Sequence, residues 1–490
     1  MSTRRLLQDM LGMAASQYLS RAVLLVRGVV AAAALGPAGF GSWNALNLIL
    51  DYGGYASCGA LQGLDLRLPA SSARGDSRES RRLLAGAWSM VVAGGGLFAL
   101  AVLVSIAHGR PRILRGLGWL APLLMLLAAL LQLVIQYLGS ALRARGRFDV
   151  VSGSTAAQVL LGGGLGILLV RPFGIAGLLW GWLAGTLVAL IWARRATRDV
   201  PFRTGAPAGS IALVRGGFVV FAFFTVSLVL RSVDRLAFIR FGRAEDLGAY
   251  SVGLMVAGLV LHVPEAAAAV LYPRIVAAAG GARDLDRTRR EVARVQRALA
   301  LLLPLAVAVG MVWVAPVLDW WLPQFATAAA AVRLLALAAL LLSAATLPAY
   351  WLLGRGRARA LLLAGALCAA AAAALVFGVA ARAPYPAAVA AAACAGYAVF
   401  AVVIVAMAAR DLHPEPRARL VFSVTSFLPA AWLGTAALVA CGVGPPRPIL
   451  TAVMRTAAVL LVSAPLFWWL GRGTGLRALA RGRGREEAPA

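Results

Sequence analysis

The chain contains no lysine: all 47 of its basic residues are arginine. Among 490 residues it has only 19 acidic side chains, three histidines and four cysteines. Cys58, Cys368, Cys394 and Cys441 stand singly in apolar stretches, without the CxxC or Cys/His spacing of a metal or redox centre, and read as small buried hydrophobes. His108, His262 and His413 are too scattered for a metal site. No glycine-rich string follows a strand pattern, no phosphate-loop string occurs, and no serine, histidine and acid assemble on a water-facing surface. Enzymatic chemistry has little to stand on, and no cofactor is expected. The absence of Lys beside abundant Ala, Gly, Arg and Pro reads as a GC-rich coding sequence. Arg in place of Lys is therefore weak support for a mechanism at any single position.

What the chain has in abundance is apolar sequence. Hydrophobic residues make up 61% of it, against roughly 45–50% in a soluble domain, and its mean hydropathy is +0.83. A formal charge of +28 on a soluble protein would suggest nucleic acid. Here almost no water-facing domain is left to carry that charge, so nucleic acid is not an expected partner. The arginines belong at the membrane surfaces or inside. A membrane helix needs about 20 apolar residues. Fourteen spans meet that need, at roughly 13–34, 43–66, 83–107, 117–141, 150–170, 174–193, 213–240, 246–278, 298–318, 327–351, 359–381, 386–409, 420–441 and 450–471. The first is long and carries Arg21 and Arg27, which marks an uncleaved helix rather than a signal peptide. The expected fold is all-α, a polytopic membrane protein of about 14 transmembrane helices.

Orientation follows from the connecting segments. With the N-terminus inside, the cytoplasmic segments hold 32 arginines and the opposite side eight, which places both termini in the cytoplasm. The remaining seven, Arg21, Arg27, Arg231, Arg235, Arg274, Arg333 and Arg455, fall within the spans.

Two short matches recur at nearly one offset. The turn LGPAGFGSW (Leu35 to Trp43) resembles FGRAEDLGAY (Phe241 to Tyr250), aligning Gly41 with Gly248 at an offset of 207 if one residue is inserted. The string RGRF (Arg145 to Phe148) resembles RGRA (Arg355 to Ala358) at an offset of 210. Each match is displaced by six spans, which implies two pseudo-symmetric six-helix lobes in the same orientation, an arrangement that places a substrate path between them. The expected division is 1–212 and 213–411 for the lobes, 412–471 for two appended helices, and 472–490 for a basic cytoplasmic tail.

Charges inside the membrane are costly, at least about 2.5 kcal/mol each on insertion scales. Asp51 lies about 12 Å into the second span at 1.5 Å per residue. Either it pairs with Arg21 or Arg27, or these residues line a hydrated cavity. Arg231, Asp234 and Arg235 are spaced i, i+3, i+4 and would share one face of the seventh span, where a local ion pair is the plainer reading. Span 8 gathers His262, Pro264 and Glu265 around its centre, where the proline is expected to kink the helix. Arg333 lies about 9 Å into span 10. Arg274 and Arg455 sit near span ends and reach the interface by snorkelling. The deep set of Arg21, Arg27, Arg231, Arg235 and Arg333 against Asp51, Asp234 and Glu265 sums to +2. A positive cavity favours an anionic solute, and the planar Arg fork suits phosphate.

The LGPAGFGSW turn, the SVDRL string (Ser232 to Leu236), the FGRAEDLGAYS turn, the LYPRI string (Leu271 to Ile275) and the AAVRLLALAALL run together resemble the Wzx-type polysaccharide flippases of the multidrug/oligosaccharidyl-lipid/polysaccharide exporter superfamily. The likeness covers essentially the whole chain. It implies translocation of an undecaprenyl-diphosphate-linked oligosaccharide from the inner to the outer leaflet of the bacterial inner (cytoplasmic) membrane, by alternating access around a cationic cavity. Arg21 and Arg27 match the family's cationic positions in the first helix, and Asp234 with Arg235 match the acidic-basic pair ending the seventh. Arg231 and Arg333 are added to the diphosphate-binding set from depth alone, and Asp51, Asp234 and Glu265 are the candidates for ion coupling or gating. Expected partners are the lipid-linked glycan, membrane lipids and a polysaccharide polymerase. A coupling ion, H+ or Na+, is compatible with the resemblance but not demanded. The competing functions are a lipid II flippase and a multidrug efflux transporter of the same superfamily. The second would be expected to carry acidic lining, whereas the first span holds two arginines and no carboxylate.

Overall fold

The computed structural model describes the backbone of residues 3–109, 111–278, 282–442 and 448–470. The side chains of 3–19, 282–283, 448 and 469–470 are outside it, as are Arg110, Arg447 and the whole 472–490 tail. Among the described residues the chain is all-helical: α1 (Thr3–Gly53), α2 (Ala60–Ala73), α3 (Ser77–Ala107), α4 (Leu120–Ala144), α5 (Phe148–Ala196), α6 (Pro207–Leu230), α7 (Val233–Phe241), α8 (Ala244–Ala278), α9 (Ala282–Trp321), α10 (Ala329–Gly354), α11 (Ala358–Arg382), α12 (Pro386–Leu412), α13 (Pro416–Gly442) and α14 (Pro448–Leu470).

Twelve of these helical runs are long and apolar enough to cross a membrane. Two of the twelve are double. Gly36 (φ 65°) interrupts α1 and Gly174 (φ 57°) interrupts α5, each in a conformation that a side chain would disfavour. Splitting there yields fourteen apolar helical segments, the number expected. Exposed Leu, Val, Ile and Trp side chains are scattered over the helices, among them Leu168, Leu367 and Leu461 at 71–75% exposure, as a lipid-facing surface requires.

Two expected spans are not continuous helices. The second runs from residue 37 to Gly53, gives way to a turn over 54–59 and resumes as α2. The seventh breaks at Arg231–Ser232, with α6 ending before and α7 starting after. The eighth, by contrast, runs unbroken through Pro264 and Pro273.

The chain divides into two compact units, Met1–Ser251 and Val252–Ala490. In the first, α1 packs on α5, α2 on α6 and α4 on α5. In the second, α12 lies against α10 and α11, while α13 and α14 lie against α9. The 212–213 boundary concerns sequence symmetry and stays a proposal.

The repeat is visible in local structure. After α4 and after α10 the chain makes the same turn: Gly146 (φ 69°) and Gly356 (φ 74°) are both left-handed. The amide of Arg147 donates to Leu142 O and that of Arg357 to Leu352 O, each 2.9 Å. The first arginine of each turn also meets an aspartate from the end of the lobe's sixth span: Arg145 with Asp199 at 2.5 Å, Arg355 with Asp411 at 3.5 Å. The other aligned pair touches directly within the first unit. A Cβ on Gly41 would overlap the carbonyl oxygen of Ala244, and one on Gly248 would overlap that of Pro37. Gly41 aligns with Gly248 at the offset of 207, and Pro37, before the inserted residue, with Arg243, the neighbour of Ala244. To within one residue the contact maps onto itself when the two turns are exchanged, as an isologous contact does.

Candidate functional site

The site lies where the two interrupted helices of the first unit meet. Gly53 and Gly54 end the first of them. The amides of Tyr55, Ala56 and Cys58 then donate three residues back, to Tyr52 O, Gly53 O and Tyr55 O, which tightens the chain into a non-α turn. Cys58 (φ 49°) and Gly59 (φ 92°) reverse it in left-handed conformations before α2 begins. Cys58 is exposed there, contrary to the expectation of a buried thiol; Cys368 is buried, and Cys394 and Cys441 are half-buried.

The second interruption falls at Arg231–Ser232. Ser232 Oγ donates to Leu228 O at 2.7 Å, which competes with the helical ladder at its own position. Because that hydroxyl proton is used, Tyr52 is the donor in the 2.7 Å contact between Tyr52 Oη and Ser232 Oγ. One residue before Tyr52, Asp51 Oδ2 accepts from Arg235 Nη1 at 3.0 Å. The pair is unequal in exposure: the Arg235 side chain is 14% exposed and that of Asp51 37%. Asp51 thus keeps an exposed edge while its partner is enclosed, and Arg235 Nε is buried without a hydrogen-bond partner among the described residues.

Asp234 is fully buried. Its two oxygens are taken by the Tyr250 hydroxyl at 2.5 Å and by the Arg235 amide at 2.7 Å. It stands in the first turn of α7, where a carboxylate is favoured by the helix dipole. Arg231 caps the end of α6. It does not share one helical face with Asp234 and Arg235, because the break falls between them. Asp51 likewise pairs with neither Arg21 nor Arg27. The break brings Arg235 to it across 184 residues.

Arg27 sits in the same unit, in an aromatic cage. Its guanidinium carbon lies 4.9 Å from the Trp182 ring centroid and 5.5 Å from that of Trp43. Its Nη1 is buried without a hydrogen-bond partner among the described residues. Arg21 is half-buried, and among the described residues it forms no ion pair. The structure gathers Asp51, Asp234 and Arg235 at one junction, with Arg231 at its edge. Glu265 and Arg333 belong to the second unit. There Glu265 contacts His262 Nδ1 at 3.2 Å, and Arg333 Nε donates to Met311 O at 3.1 Å. Tyr52, Ser232, Tyr250, Trp43 and Trp182 were not singled out by sequence. The only signal for the first three was their nearness to deep charges.

Neither a family model nor a curated protein sequence matches the chain. Solved structures do. The lipid II flippase MurJ in an inward closed conformation aligns over 94% of this chain and 99% of its own, with a TM-score of 0.70 at 11% identity. An inward-facing multidrug resistance MATE family transporter of the MOP superfamily aligns over 80% of this chain and 94% of its own, with a TM-score of 0.65 at 14% identity. An outward-facing one aligns over 82% and 95%, with a TM-score of 0.58 at 14% identity. At these identities the likeness defines the fold. The chain has the helical fold of a class of multi-pass membrane proteins whose solved members named here are transporters and flippases, not enzymes.

Proposed function

We propose that this chain is a flippase that carries an undecaprenyl-diphosphate-linked oligosaccharide across the bacterial cytoplasmic membrane. The observation that carries the reading is the junction of the two interrupted helices at Asp51–Arg235, with Arg231 at its edge. Interrupted helices are where transporters place substrate and ion sites, because the break frees backbone groups and aims charged side chains into a cavity. The charges present favour an anion. Each deep carboxylate is already engaged, Asp51 by Arg235, Asp234 by Tyr250 and Glu265 by His262. Arg21 and Arg27 meet no carboxylate among the described residues. A cationic drug would find little to bind there.

The physical task fits the equipment. A diphosphate cannot enter hydrocarbon unaided, since an isolated buried charge costs tens of kcal/mol in the Born limit. Arginines in a hydrated path offset that cost while the lipid tail stays in the bilayer. Moving two negative charges outward across a potential of about 100 mV, negative inside, gains roughly 4–5 kcal/mol. Proton or sodium exchange at the exposed edge of Asp51 would add to this drive. Lipid II is the second reading, favoured by the near-complete coverage of the MurJ structure.

The test is complementation. In a strain lacking this protein, Arg27→Ala and Arg231→Ala variants that accumulate normally in the membrane should fail to restore surface polysaccharide. Full restoration by both removes the cationic site. Rescue by the wild-type chain of cells depleted of their lipid II flippase would transfer the assignment to lipid II.

A further inference from the structure

Six arginines fall between positions 283 and 297, at the start of α9. That helix has 40 residues, whereas α3, its counterpart in the repeat, has 31. The added turns are therefore not required by the architecture. Arg290, Arg294 and Arg297 are spaced i, i+4, i+7 and lie on one helical face. With Arg289 they line a groove of about 380 Å³ whose other wall is Leu412, His413 and Pro414, at the α12–α13 junction.

Two nearby carboxylates are engaged by other arginines, while Asp284, which lines a neighbouring pocket with Arg290 and Arg294, forms no ion pair among the described residues. Glu291 holds Arg274 at 2.5 Å, and Asp286, itself at the groove, holds Arg289 at 3.1 Å. Among the described residues Arg290, Arg294 and Arg297 form no ion pair. Arg289 Nε and His413 Nε2 are buried beside them without hydrogen-bond partners among the described residues. Several guanidinium groups facing one groove repel each other until an anion enters it.

Height along the helix says which anion. Trp320 and Trp321 at the far end of α9 are 81% and 59% exposed, as interfacial anchors are. Arg297 lies 24 residues before Trp321, about 36 Å along the axis, just beyond a hydrocarbon core of about 30 Å. Arg294 and Arg290 extend roughly 5 and 10 Å further, through the layer of lipid phosphates.

We propose that this groove binds the phosphodiester headgroup of an anionic phospholipid, with Arg290, Arg294 and Arg297 as its donors. The inference rests on α9 spanning the membrane, and not on which substrate the chain carries. The test uses the full chain in detergent, with bound phospholipid counted by native mass spectrometry after addition of phosphatidylglycerol or phosphatidylcholine. The wild type should retain phosphatidylglycerol in preference, and millimolar inorganic phosphate should not displace it. The triple variant Arg290→Gln, Arg294→Gln, Arg297→Gln should bind about a hundredfold more weakly, taking roughly fivefold per arginine. Removing the same charge from the first unit with Arg78→Gln, Arg81→Gln and Arg198→Gln should change retention little. If the triple variant melts early, Arg294→Gln alone should still show a roughly fivefold loss. Equal retention of phosphatidylcholine, unchanged binding by folded α9 variants, an equal loss in the first-unit control, or ready displacement by phosphate overturns the proposal.

Discussion

Arg27 is a cation held by ring faces rather than by an acid. Such contacts contribute about 0.5–2 kcal/mol, and they leave its buried Nη1 without a hydrogen-bond partner among the described residues. Arg27→Lys keeps the charge but not the bidentate geometry. It should lower the initial rate of lipid translocation about tenfold, and Arg27→Ala should abolish translocation. The Asp51–Arg235 pair makes a different demand: Asp51→Arg or Arg235→Asp alone should inactivate the chain, and the exchanged double variant should recover part of the wild-type rate. If Asp51→Asn supports the same rate with ion gradients intact and dissipated, Asp51 is not a coupling site. His413, outside the spans, predicts a pH effect. Burial first, then the positive charges of Arg297 and Arg289, hold it below its ordinary value of 6.5. The unfolded chain thus binds a proton that the folded chain refuses, so stability is highest above 6.5, falls as pH drops from 6.5 toward the folded-state value, and then levels. His413→Asn should flatten the melting temperature between about pH 7 and 5. At this scale sequence depth pointed to the charged residues but not to their partners. Asp51 meets Arg235 only because two helices break, and Tyr250 closes on Asp234 from 16 residues away.

The elements that carry the site are the interruptions, and hydropathy does not reveal them. GGYASCG keeps the second span apolar while its glycines end the helix, and VLRSVDRL keeps a helical spacing through the seventh. The failure of that ladder shows in the structure, where the Ser232 amide donates to Val229 O, three residues back. The left-handed Gly59 makes the first break testable. Gly59→Ala should cost about 1 kcal/mol from backbone strain and reduce translocation more than it reduces membrane accumulation. The glycine crossing is less tolerant. Gly41→Leu or Gly248→Leu pushes a side chain into a backbone carbonyl and should destabilise by about 1–3 kcal/mol or more, seen as a lower thermal midpoint in detergent. The repeat that aligned these two glycines was legible in sequence, but their reciprocal contact was not, since an offset says nothing of which turns touch.

For the whole molecule, the +28 charge divides by role. Most arginines lie in connecting segments and report orientation, and reporter fusions test this: a C-terminal fluorescent protein should glow, and alkaline phosphatase fused there should be inactive. A smaller group sits at the helix junction, in the Trp cage and in the α9 groove, the places to which the proposed function and the proposed lipid site assign a role. The number of passes was readable because apolar length survives kinks at Gly36 and Gly174. Substrate identity was not, because lipid-linked diphosphates share the group that arginine binds. The decisive measurement is translocation itself, in vesicles containing the purified chain and a labelled undecaprenyl-diphosphate oligosaccharide. Wild-type vesicles should move the label to the opposite leaflet, while Arg27→Ala and Arg231→Ala vesicles should match protein-free ones. Movement of a cationic drug but not of the diphosphate lipid, or full activity in both variants, would contradict the account.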